Sequence, residues 1–188
     1  MNKILKEAIE DSPVIAAIKD DTGLEKCIQS DSSIIFILYG DLISIPSIVK
    51  KVKESGKLAF VHLDLIQGLQ SKDIAADFIK TYTDADGVIS TKANLISRAK
   101  ELKLFTVMRF FALDSMAYEN IEKQIKNTKP DIIEVLPGPM PKVVAKITTI
   151  AKCPVIAGGL VSDKEDVIAL LSAGAACISS TNTDVWFL

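Results

Sequence analysis

Two short strings near the end of the chain hold the residues best suited to chemistry. Gly158-Gly159 closes the apolar run 154–157, and Ser179-Ser180-Thr181 closes the run 176–179. Paired glycines let backbone N–H groups come close to an anion, and a helix start beyond them adds donors and a favourable dipole. In a parallel α/β barrel, the loops after the seventh and eighth strands build a phosphate site in this way. The strings therefore predict that Gly158, Gly159, Ser179, Ser180 and Thr181 hold the phosphate of a small ligand.

A second set of polar residues falls at or near the ends of apolar runs, where a barrel gathers its ligand chemistry: Lys19, Asp64, Lys92, Arg109 and Glu134. His62, the single histidine, stands two residues before Asp64 and is expected on the same strand face. Arg109 lies between Met108 and Phe110, where an unpaired guanidinium would be costly, so it is expected to pair with Asp64 or Glu134. Two readings of the ring stay open. Carboxylates could accept from the hydroxyls of a phosphorylated polyol while lysine offsets its charge. Alternatively, Lys19 or Lys92 could form a Schiff base and Glu134 move protons, as in a barrel isomerase or aldolase acting on a triose or sugar phosphate. No second histidine or cysteine stands at metal-ligand spacing, so neither a metal nor a cofactor is expected.

The elements that must position these residues are legible as alternating runs. Apolar segments at 13–18, 34–39, 58–65, 87–89, 104–110, 131–136, 154–157 and 176–179 read as strands. Helical patterns lie at 24–29, 45–54, 72–82, 93–102, 115–127, 142–150 and 163–171, with a short helix near 183–187. Thr22 with Glu25, and Ser162 with Glu165, have capping-box spacing. Eight β/α units in 188 residues leave about 23 residues each, little more than strand, loop and helix require. The expected fold is a compact single-domain (β/α)8 TIM-type barrel spanning 1–188. An open doubly wound sheet is the alternative, but it gives no reason for the two polar strings to fall on the last two strands.

Composition agrees. A 48% hydrophobic chain suits buried parallel strands, which read as continuous apolar runs. No apolar stretch approaches the ~20 residues of a membrane span, and the Lys-rich start lacks a signal-peptide core. Cys27, Cys153 and Cys177 are odd in number and widely spaced, as expected of small core hydrophobes in a reducing cytoplasm. A net charge of −2 with arginine only at 98 and 109 gives no general attraction to nucleic acid. Any such contact needs a local lysine patch, and Lys50, Lys51 and Lys53, with Lys57 nearby, form the densest in the sequence.

The chain also resembles a known family nearly end to end. The resemblance is carried by Ile15-Ala-Ala-Ile-Lys-Asp-Asp21, His62-Leu-Asp-Leu-Ile-Gln-Gly-Leu69 and Gly87-Val-Ile-Ser-Thr-Lys92. It continues through Arg109-Phe-Phe-Ala-Leu-Asp-Ser115, Glu134-Val-Leu-Pro-Gly-Pro-Met-Pro-Lys142, Ile156-Ala-Gly-Gly-Leu160 and Ser179-Ser-Thr-Asn-Thr-Asp-Val-Trp186. In these strings it is similar to the glycerol uptake operon antiterminator regulatory proteins. The resemblance implies a barrel that binds glycerol 3-phosphate and, when loaded, acts on the mRNA leader of glycerol uptake genes to prevent early termination. On that reading the protein is a cytoplasmic regulator and not an enzyme. The phosphate would rest on Gly158, Gly159, Ser180 and Thr181, and the hydroxyls would reach Asp64, Glu134 and Lys19.

Overall fold

A computed structural model describes residues 2–188. Eight parallel strands close in sequence order into a barrel: β1 (Val14–Ile18), β2 (Ile34–Ile37), β3 (Leu58–His62), β4 (Gly87–Ser90), β5 (Phe105–Phe111), β6 (Ile132–Leu136), β7 (Val155–Gly158) and β8 (Cys177–Ser180). One helix precedes β1, α1 (Lys3–Asp11), and one follows each of the first seven strands. These are α2 (Asp21–Gln29), α3 (Ile45–Glu54), α4 (Ile74–Tyr82), α5 (Ala93–Glu101), α6 (Ser115–Thr128), α7 (Pro141–Ile150) and α8 (Lys164–Ser172). A 3-10 turn at Thr183–Phe187 follows β8. The closed barrel is the expected fold, and the open sheet is excluded.

The strands are nearly continuous apolar runs because both faces are covered. Inward residues Ile15, Phe36, Phe60, Ile89, Val107, Ile132, Ile156 and Cys177 form the barrel core, and each large one contributes about 2 kcal/mol by leaving water. Leu5, Ala8 and Ile9 of α1 join the same core, and the Cys177 thiol faces the Ile9 carbonyl at 3.7 Å. Thus α1 plugs the end of the barrel where the strands start. The sequence pattern had left this segment without an element. Outward residues of the strands pack against α2–α8 in two further clusters.

Two details differ from expectation. The run 58–65 is not one strand: β3 ends at His62, and Leu63–Leu65 turns as a 3-10 helix, which removes Asp64 from the strand face. The helix caps also shift. Asp20 caps α2 by accepting from Gly23 N at 2.7 Å, and Asp163 caps α8 by accepting from Asp166 N at 2.9 Å. A carboxylate at N-cap serves as well as a hydroxyl, and here it stands two residues before Thr22 and one residue after Ser162.

Candidate functional site

At the end of the barrel where the strands finish, inward polar side chains replace apolar ones. Arg109 on β5 and Glu134 on β6 face each other in register, with Arg109 Nε donating to Glu134 Oε2 at 2.5 Å. They are 8% and 1% exposed. Ser179 on β8 donates its hydroxyl to Glu134 Oε1 at 2.6 Å, so both carboxylate oxygens are engaged. Of the two acidic partners open to Arg109, the structure selects Glu134.

Gly158 makes this chain of contacts fit. A Cβ at that position would overlap Ser179 Oγ and stand 2.8 Å from Glu134 Oε1, so the glycine leaves room for a bond beside it. Gly159 has a different requirement. Its φ is +73°, a left-handed conformation that glycine adopts without strain, and Leu136 lies 3.1 Å from where its Cβ would be. Gly138 N donates to the Gly159 carbonyl at 2.9 Å, which ties the loop after β6 to the loop after β7.

A cavity of about 340 Å³ opens above this chain, lined by Arg109, Glu134, Leu38, Leu136, Gly159–Ser162 and Ser179–Asn182. It shares Ala17, Thr181 and Asn182 with a groove of about 550 Å³ that runs past Lys19, Asp20, Gly23 and Lys26 to Thr183 and Trp186. The two strings of the sequence therefore meet in one cavity wall, with Lys19 in the adjoining groove. Not all of their atoms face the cavity. The Ser180 hydroxyl donates to the Val161 carbonyl at 2.8 Å, and Trp186 Nε1 donates to the Ser180 carbonyl at 2.7 Å. Ser180 thus holds the two loops together, while Thr181 is exposed at the mouth.

His62 and Asp64 stand beside the cavity without lining it. His62 is 2% exposed and its Nδ1 has no hydrogen-bond partner. Burial and the nearby Arg109 guanidinium push its pKa down to about 3, against a smaller opposing pull from Asp64. Asp64 accepts from Ser90 Oγ at 3.0 Å, Thr91 N at 2.8 Å and Thr91 Oγ1 at 2.9 Å. Burial raises its pKa, but these donors outweigh burial and hold the carboxyl below the usual range. Lys92 reaches Asp64 at 3.8 Å and donates to Ser71 Oγ. These residues brace the loops after β3 and β4, and the structure does not bring Asp64 or Lys92 to the Arg109–Glu134 cavity.

The lysines of α3 lie away from the mouth, because each helix runs back toward the strand starts. Lys53 binds both oxygens of Asp86 at 2.6 and 2.7 Å, and Lys57 donates to the carbonyls of Ser30 and Ser32. Lys50 sits 3.8 Å from Glu54, and Lys51 is exposed. Burial raises the thiols of Cys27 to about 11, Cys153 to about 11 and Cys177 to about 12, so none is an activated nucleophile. Among the described residues no group of three or more His, Cys, Asp or Glu side chains is placed to hold a metal ion. Among the described residues no helix is long and apolar enough to cross a membrane.

Reading the sequence missed several lining residues: Leu38, Leu136, Leu160–Ser162, Asn182 and Thr183. Their signal was adjacency, since most directly follow the Gly-Gly and Ser-Ser-Thr strings.

Comparisons with known proteins bear on the family and the fold. Residues 14–186 match the family model described as glycerol-3-phosphate responsive antiterminator. The chain is 45% identical over 184 residues to YgcP, an uncharacterized protein of Escherichia coli (strain K12), covering 98% of this chain and 96% of that one. The crystal structure of a glycerol uptake operon antiterminator regulatory protein from Listeria monocytogenes superposes with a TM-score of 0.88 at 35% identity, covering 92% of this chain and 94% of that one. A glycerol uptake operon antiterminator-related protein from Thermotoga maritima gives a TM-score of 0.82 at 34% identity, covering 93% and 98%. A deoxyribose phosphate aldolase from Aeropyrum pernix gives 0.72 at 13% identity, covering 97% and 94%, which shows a shared fold alone. The regulators, not the aldolases, are the relatives in sequence as well as in shape, and the chain belongs to the glycerol-3-phosphate responsive antiterminator family.

Proposed function

We propose that this protein binds glycerol 3-phosphate in the cavity at the mouth of the barrel and, once loaded, acts on the leader of nascent mRNA of glycerol uptake genes. The observation that carries the reading is the Arg109–Glu134–Ser179 chain facing the loops after β7 and β8 across one cavity. The phosphate would lie outward, against the backbone of Gly159–Ser162 and Thr181–Asn182, with Lys19 in the adjoining groove supplying positive charge. The glycerol end would lie inward, where Glu134 can accept from hydroxyls and Arg109 can donate to them. Asp64 and Lys92, both engaged elsewhere, drop out of the ligand shell. Such a ligand matches a cavity of about 340 Å³ that is polar at its floor and partly apolar at Leu38 and Leu136.

Regulation needs two states whose balance the ligand biases through differential contacts. A phosphate bridging the loops after β7 and β8 would order both at once. Acting on a nascent transcript places the protein in the cytoplasm. Titration calorimetry tests the ligand half: glycerol 3-phosphate should bind at one site per chain, with glycerol and inorganic phosphate each far weaker, because charge-assisted bonds and the polyol contacts act together. Comparable affinity for glycerol and glycerol 3-phosphate would remove the phosphate site.

A further inference from the structure

The barrel face where the strands start carries a second feature that the ligand site does not use. Helices α5, α6 and α7 end there, and Lys100, Lys103, Lys126, Lys129 and Lys152 stand exposed at or just beyond their last turns. They surround two hollows of about 330 and 200 Å³, the larger floored by Ile125, Pro130 and Ile150. The hollows adjoin, because Lys100 Nζ, on the rim of one, donates to the Lys129 carbonyl on the rim of the other.

The cluster gathers five exposed cations at one end of a chain of net charge −2. Lys50, Lys53 and Lys92 each have a carboxylate partner. Among the described residues, Lys100, Lys103, Lys129 and Lys152 have none, and of the five only Lys126 is paired, with Glu122 at 2.6 Å. The neighbouring acids are committed: Glu101 to Arg98 at 2.7 Å, and Asp131 to the Thr106 N–H and hydroxyl at 2.9 and 2.8 Å. Lysines near helix C-termini can serve only to offset the helix dipole. Two of these do so at a disadvantage. Lys103 and Lys129 hold left-handed φ values of 60° and 47°, where glycine is the strain-free choice.

We propose that this lysine cluster is the surface that holds the phosphodiester backbone of single-stranded RNA, in place of the α3 lysines. The inference rests on the antiterminator reading above and names its RNA surface. Cationic rims over an apolar floor suit a strand whose phosphates need neutralising and whose bases need only a surface to rest on. Strands β5 and β6, which begin just beyond Lys103 and Lys129, carry Arg109 and Glu134 further along.

The experiment measures fluorescence anisotropy of a labelled leader transcript of glycerol uptake genes, with full-length protein saturated with glycerol 3-phosphate, across a salt series. Lys103→Gly with Lys129→Gly relieves the left-handed strain, so melting temperature should hold or rise. RNA affinity should fall about 25-fold at ~0.1 M salt, and the salt slope should flatten by about 1.4, at roughly 0.7 per lost contact. Lys50→Gln with Lys51→Gln should change neither. Full RNA affinity in the glycine pair, with glycerol 3-phosphate still bound normally, overturns this surface and leaves the antiterminator reading standing. No RNA binding by the wild-type protein at low salt, with ligand saturating, overturns both.

Discussion

Arg109→Met tests the architecture of the site most sharply. The substitution keeps an unbranched side chain of similar length but leaves Glu134, 1% exposed, with the Ser179 hydroxyl as its only remaining side-chain donor. Removing one member of a buried pair costs about 3–5 kcal/mol, because the surviving charge stays desolvated without its partner. A domain of this size has a net stability of about 5–15 kcal/mol, so the loss is a large fraction of the total. With a urea m-value near 2–3 kcal/mol per M, the unfolding midpoint should fall by about 1–2 M at pH 7. Combining Arg109→Met with Glu134→Gln removes both charges and lets the amide accept from Ser179. The double variant should therefore be more stable than the sum of the single losses, by about 2 kcal/mol or more. An Arg109→Met midpoint within about 0.3 M of wild type, or simple additivity in the cycle, would mean that cavity water already screens the pair. The pair would then not hold the site together.

Three further outcomes follow from the same geometry. His62, with a folded pKa near 3 against 6.5 unfolded, stays neutral in the fold while the unfolded chain takes up a proton. Its contribution to stability is complete above about pH 6.5 and is lost as pH falls toward 3, by up to ~1.4 kcal/mol per pH unit, so His62→Phe should flatten the acid limb of a stability–pH curve in that window; an unchanged limb would show that another group sets it. Gly158→Ala should cost about 1–3 kcal/mol by thermal melting, because the new Cβ meets Ser179 Oγ and Glu134 Oε1; a neutral result would mean the β7–β8 wall yields freely. Thr181→Asp should weaken glycerol 3-phosphate at least ~10-fold in calorimetry with little change in melting temperature, because the added carboxylate stands exposed at the mouth; undiminished affinity would put the phosphate elsewhere.

The strands were legible because parallel strands covered on both faces have no reason to alternate, and 14–18, 34–37 and 155–158 read as unbroken apolar runs. The same rule misled at 58–65, where apolar residues continue past the strand and hide the turn that carries Asp64 away. The helix α1 escaped notice because its lysines and glutamates dominate the segment, although Leu5, Ala8 and Ile9 have helical spacing. The Gly-Gly and Ser-Ser-Thr strings located one wall of the cavity, since what they signal is local backbone. The partner of Arg109 was not local. Choosing Glu134 over Asp64 depends on the register between β5 and β6, and that is set by the closure of the whole barrel. Lys53 fails as a free cation for a similar reason, since its partner Asp86 stands 33 residues away.

One measurement addresses the central claim most directly: a crystal structure of the protein grown with glycerol 3-phosphate. The phosphate should lie within hydrogen-bond reach of the backbone at Gly159–Ser162 and Thr181–Asn182, with a glycerol hydroxyl against Glu134. Ligand density in the separate hollow of about 500 Å³ lined by Leu113, Tyr118, Met140 and Val143, with the mouth of the barrel empty, would contradict it.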